Sequence, residues 1–226
     1  MKTLVELDRF IEANPVLTTL LVEARSRDDG DLTHDTAHLL RVALWTLRLG
    51  GAAIDSREAI ASALLHDAVN LPKDSPERRF ASERSAELAR TRLPELGFGA
   101  DAIDRIAGAV RDHSFSRGVV PQTALGCALQ DADRLEALGA IGLLRCISTG
   151  VRMGGAWFDG EDPWAHHRPL DDTVFSLDHF STKLLKLPAT MRTDAGRAEA
   201  QQRAAFLWAF MVQLGHELGQ APPARR

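Results

Sequence analysis

Apolar residues recur every three or four positions along nearly the whole chain, and no stretch alternates apolar and polar as a half-buried strand would. That feature confines the fold to packed helices, and caps and breakers divide them. Helices are predicted over 2–13 and 16–26, parted at Asn14-Pro15, then from Thr33, a candidate N-cap, to Leu49, stopped by Gly50-Gly51. Ser56 caps a segment from Arg57 to Ala68, and Pro72 forbids its continuation. Ser75-Pro76-Glu77 opens a helix to about Leu93. Asp101 caps another, to His113, Pro121 opens one through Ala137, and AIGLLRCIST follows Gly139.

Residues 150–175 break the rhythm with Gly, Pro and Asp. A loop that long is functional, packed on itself or a subunit contact, and Trp157, Phe158 and Trp164 within it could close over a ligand. Helices near 176–187 and 194–218 come next, and the tail GQAPPARR reads as disordered. The expectation is one all-α domain over 1–226, with its core from about 33 to 218.

The net charge of −4 gives no general attraction to nucleic acid or anionic membranes, so a phosphate-bearing ligand needs a local positive site or a metal. Two cysteines, Cys127 and Cys146, make no disulfide framework and read as reduced thiols. The acids in MKTLVELDRFIEANP are foreign to an export signal, and no apolar run reaches the ~18–20 residues of a membrane span. The expected location is the cytoplasm.

The chemistry lies in three helical segments. THDTAHLLRV places His34 and His38 one turn apart, LLHDAV gives His66 and Asp67, and LQDADRLEALGAIG holds Asp131 and Asp133. Asp131 and Asp133 lie roughly 200° apart around a helix, so only one can face a common centre. Asp67 follows an apolar run near a helix C-terminus, where the macrodipole disfavours a carboxylate, and this points to a cation as its partner. Imidazole and carboxylate together suit Zn, Mn, Fe, Ni or Co without naming one.

The order His, His-Asp, Asp on successive helices resembles the HD superfamily of metal-dependent phosphohydrolases. Arg41-Val42 after His38 matches that family's first motif, so the resemblance selects His38 over His34, then His66-Asp67, then Asp133. DHSFSRG, QDADRLEALGAIGLLR, DGEDPWAHHRPLDD and LDHFSTKLLKLPATMRTDAGR extend the likeness to the YedJ-like bacterial subgroup, from about Thr33 to Leu218.

The resemblance implies a helical bundle with a divalent ion (Mn, Mg, Fe, Co, Ni or Zn) between helices, held by His38, His66, Asp67 and Asp133. It implies hydrolysis of a small phosphate ester: a nucleoside triphosphate to monophosphate and pyrophosphate, or a monophosphate to the nucleoside. Asp67 would ligate the metal and orient the nucleophile. Lys73, just past Pro72, could reach over the site, and Arg78 and Arg79 open the next helix, whose N-terminus favours phosphate. His113 is a candidate for phosphate binding, general acid or second metal, with a helix-capping His as its alternative. Arg134 and Lys183 are further candidates for the substrate. The plainer readings are a brace on the neighbouring Asp133 for Arg134 and a salt-bridged surface residue for Lys183, and His179 lies with them in the blocks shared with the subgroup.

Some nucleotidases of the superfamily carry a glutamate three residues after the doublet; here Asn70 stands there and cannot serve as a base. That favours triphosphate cleavage. A non-catalytic nucleotide-binding module and a di-iron oxygenase are the competing classes, and assembly into a homo-oligomer is open.

Overall fold

The computed structural model describes residues 1–27, 35–71 and 77–221. Thr33, His34, Lys73, the Ser75-Pro76 start and residues 222–226 lie outside them. The described residues form ten α-helices and no strand beyond one isolated bridge. Contacts divide the chain into two compact units, 1–133 and 134–226.

Unit 1 contains α1 (Leu4–Glu12), α2 (Pro15–Ser26), α3 (Thr36–Gly50), α4 (Ser56–Leu65), α5 (Ala81–Glu95), α6 (Ala100–Asp112) and most of α7 (Ala124–Leu135). Thr3 and Asn14 cap α1 and α2 by accepting the N–H groups of Glu6 and Leu17. Helix α4 is the axis of the unit. All of Ala59–Leu65 is buried, and it packs against α2, α3 and α6, as a helix apolar on every side must. Leu7, Leu17, Leu20, Val42, Leu93, Ile106 and Leu129 complete the core around it.

Several boundaries differ from the sequence expectation. Asp35 caps α3, and Asp55 rather than Ser56 caps α4, its Oδ1 accepting from Arg57 and Glu58 at 2.8 and 3.0 Å. Gly99 rather than Asp101 precedes α6. Arg78 and Arg79 do not open α5; they form a 3-10 turn before it, with Ala81 as its first residue.

Unit 2 contains α8 (Gly139–Arg152), α9 (Asp178–Thr182) and α10 (Asp194–Leu218), with a 3-10 run from Leu184 to Thr190 where a continuous helix was expected. Helix α10 packs on α8 and on that run, burying Leu207 and Met211 with Phe180, Leu184 and Leu187.

The long segment before α9 is packed structure. Asp159 accepts the N–H groups of Glu161 and Asp162, and Asp162 those of His166 and His167. Arg168 grips the buried Asp178 with two hydrogen bonds, of 2.6 and 2.9 Å, and lies over the Phe175 ring. Trp164 is buried, whereas Trp157 is 61% exposed. No helix among the described residues is long and apolar enough to cross a membrane. Neither Cys127 nor Cys146 is in a disulfide.

Candidate metal centre

Helix α4 ends at Leu65, and His66 is its C-cap. The chain then turns, with the Ala68 N–H on the Leu65 carbonyl and the Val69 N–H on Ser85 Oγ of α5 at 3.0 Å. This turn presents His66 and Asp67 together at the end of the most buried helix. His38 is the third residue of α3, and its backbone N–H is the one that Asp35 caps, at 2.8 Å. His113 is the C-cap of α6. Asp133 lies in the last turn of α7.

These five side chains meet within unit 1. Asp67 Oδ2 is 3.4 Å from His66 Nε2 and 3.9 Å from His38 Nε2, and its Oδ1 is 3.6 Å from His113 Nε2. Asp133 Oδ1 is 3.7 Å from His38 Nε2 and 3.8 Å from His66 Nε2. Ligand atoms of His38, His66 and Asp67 all lie within 4.8 Å of one another. Two donors each ~2.1 Å from one ion stand at most about 4.2 Å apart, so the separations of the Asp67 and Asp133 carboxylates from the two imidazole nitrogens, between 3.4 and 3.9 Å, suit a shared cation.

The ring nitrogens strengthen that fit. His66 Nδ1–H donates to the Ala63 carbonyl at 2.8 Å, which leaves the lone pair on Nε2. Nε2 is buried and makes no hydrogen bond among the described residues, a costly arrangement unless a cation meets it. Burial drives the His66 pKa down to about 4, and the neighbouring His113 and His38 push the same way. Asp67 and Asp133 offset this only in part. The ring is therefore neutral near pH 7, as a metal ligand must be.

His113 is the counter-case. Its Nδ1–H donates to the Val110 carbonyl at 2.6 Å. Burial disfavours its charge, but the facing Asp67 outweighs this, with Asp133 and the Val110 carbonyl adding, and its pKa lies above the ordinary value.

The other candidates make contacts of their own. Arg78 donates to the Leu71 carbonyl, and Arg79 lies over the Phe80 ring. In unit 2, Arg134 is buried and donates to the Thr190 carbonyl at 2.7 Å, Lys183 is half-buried after α9, and His179 Nδ1 meets Asp172 at 2.8 Å. Asp131 is fully buried.

Two supporting residues had no signature in the sequence. Ser85 holds the turn after the doublet, and Gln130 donates to the carbonyls of Asp112 and Val119, pinning the segment that carries His113.

A helical unit with histidines and aspartates converging from successive helices is the arrangement of the HD domain, and the HD domain family model matches residues 36–138. The chain belongs to this family. It is 30% identical over 191 residues to the uncharacterized protein YpgQ of Bacillus subtilis, covering 82% of this chain and 84% of that one. The crystal structure of YpgQ in complex with ADP superposes with a TM-score of 0.68 at 26% identity, over 88% of this chain and 93% of that one. An HD-superfamily hydrolase of Bacillus thuringiensis gives 0.67 at 27% identity, over 89% and 96%.

Proposed function

We propose that this chain is a metal-dependent phosphohydrolase acting on a nucleotide, cleaving a nucleoside triphosphate to the monophosphate and pyrophosphate. One observation carries the reading: imidazoles and carboxylates from α3, α4, α6 and α7 converge in unit 1, where the buried Nε2 of His66 makes no hydrogen bond among the described residues. The ADP complex of YpgQ supports a nucleotide as the substrate class. His38, His66, Asp67 and Asp133 would hold the divalent ion. Such an ion, when bound, polarises phosphoryl oxygen and makes water more acidic.

The chain's own groups supply orientation and protons. The bond from His66 to Ala63 aims the Nε2 lone pair inward. Asp67 can align a water for attack in line with the leaving oxygen, since phosphoryl transfer depends on positioning and charge. His113 holds a proton more readily than an ordinary histidine, and with Nδ1–H given to Val110 only Nε2 can deliver it to the departing oxygen. Asn70 is exposed and cannot accept a proton, which favours triphosphate cleavage over monophosphate dephosphorylation. Lys73, Arg78 and Arg79, all within a short stretch after the doublet, are the proposed phosphate contacts.

A panel of nucleoside mono-, di- and triphosphates with Mn²⁺, Mg²⁺, Co²⁺ or Ni²⁺ tests this. Pyrophosphate release from a triphosphate is expected. Asp67→Ala should lose roughly 10³-fold or more in kcat/KM with its helical circular dichroism unchanged. Orthophosphate release from monophosphates alone would overturn the triphosphate reading. ADP binding without product under any metal would make this a binding module.

A further inference from the structure

Residues 113–119 lead from α6 toward α7, and they begin with the histidine whose Nε2 faces Asp67 at 3.6 Å. Both ends of this segment are fastened from α7. Gln130 is fully buried, and its Nε2 donates to two main-chain carbonyls. One is that of Asp112, the residue before His113, at 2.8 Å, and the other is that of Val119, at 3.0 Å. An amide nitrogen has two hydrogens, so each carbonyl receives one. The Asp112 carbonyl is among the last four of α6, which no N–H of the same helix can reach. Its partner has to come from outside the helix, and Gln130 is that partner.

The consequence reaches the cluster. Gln130 stands three residues before Asp133, on the same side of α7. One helix therefore supplies a metal-ligand candidate and holds the histidine across from it. The His113 ring is fixed by its Nδ1–H on the Val110 carbonyl at 2.6 Å, so the ring goes where the last turn of α6 goes. That turn ends at the carbonyl that Gln130 holds. Take the amide away, and a carbonyl of a buried residue loses its partner, which is costly. The relief open to it is to fray the turn toward water, and fraying carries His113 away from Asp67. A misplacement of about 1 Å at a reacting group lowers a rate by about 100-fold.

We infer that Gln130 is a positioning residue: it holds His113 at its distance from Asp67 and in register with Asp133, and so governs proton delivery to the departing oxygen without touching substrate or metal. The inference rests on the hydrolase reading above, because the proton belongs to that reaction. It is separable from a plain contribution to stability. A glutamine that only stabilises the fold lowers the rate by the same factor whatever stands at position 113. One that acts through His113 loses its effect once His113 is gone.

The test is a double-mutant cycle on the full chain with Mn²⁺ and a nucleoside triphosphate, Gln130→Met against His113→Asn. Methionine has the length of glutamine and no hydrogen to donate. Gln130→Met alone should lower kcat about 30-fold and leave KM within about twofold. His113→Asn should lower kcat about 100-fold, and adding Gln130→Met to it should cost less than about twofold more. Backbone amide exchange needs no turnover. In Gln130→Met it should quicken about tenfold or more over 113–119 and stay unchanged over 59–65. Should Gln130→Met lose its helical circular dichroism, Gln130→Asn, which keeps the donors one methylene short, takes its place with the same expectations. Equal losses in both backgrounds, a loss in KM rather than kcat, or unchanged exchange would overturn this inference alone. A wild type that releases no product with any metal would overturn the hydrolase reading, and the role in proton delivery with it.

Discussion

At the scale of the residue, the two nitrogens of His66 divide the work. One is spent on Ala63 and the other faces the cluster. The doublet itself is legible because an imidazole and a carboxylate at the end of an apolar run have few other uses. Its tautomer is not legible, since that depends on a carbonyl one turn back. Nor is the contact of His113 with Asp67, which exists only because α6 packs beside α4. Ser85 and Gln130 were unreadable for a simpler reason: one hydroxyl or one amide on a helix has no spacing to betray it.

The buried ring also sets a pH dependence in the metal-free protein. The His66 pKa in the folded state, about 4, lies below the 6.5 of a free imidazole, so the unfolded chain binds the extra proton between those values. The stability it contributes is full above 6.5 and is lost as pH falls toward 4. His113, shifted upward, contributes in the opposite sense, fully below 6.5 and less as pH rises through its folded value. Melting temperatures in chelator from pH 6.5 to 4 should therefore fall less steeply in His66→Asn than in wild type. Parallel slopes would contradict the assignment.

At the scale of the element, the order of the helices was legible and their first residues were not. Asp55 and Ser56 are both good caps and adjacent, so sequence cannot choose between them. The structure chooses Asp55, which satisfies two N–H groups at once. Asp55→Ala should lower stability by about 1 kcal/mol in denaturant unfolding and Ser56→Ala by only a few tenths. Equal losses would mean a shared cap. The turn holding Arg78 and Arg79 was misread for a related reason: both arginines are strong helix formers, and propensity does not reveal that α5 begins only at Ala81. They are not helix-opening residues, so the phosphate contact proposed for them rests on their guanidinium groups and not on that helix N-terminus.

At the scale of the whole molecule, the family was legible because long blocks recur in order, and the matched relatives cover most of the chain. The division into two units was not legible, because it falls between Asp133 and Arg134, where α7 runs on unbroken. The segment over 150–175 offered three readings from composition. Its packing comes from pairings such as Arg168 with Asp178 that no periodicity encodes. Arg168→Ala leaves the Asp178 carboxylate buried without its guanidinium and should cost about 3–5 kcal/mol, read as a lowered melting temperature. A loss under 1 kcal/mol would show that the remaining bond from the Asp171 N–H suffices.

That one ion pair also governs how the chain is cut. Most of the stretch from Trp157 to Leu177 lacks helix or strand and would ordinarily invite a protease. With Arg168 fastened to Asp178, subtilisin should leave it whole. Release the arginine, and the first nick should fall between Trp157 and Leu177.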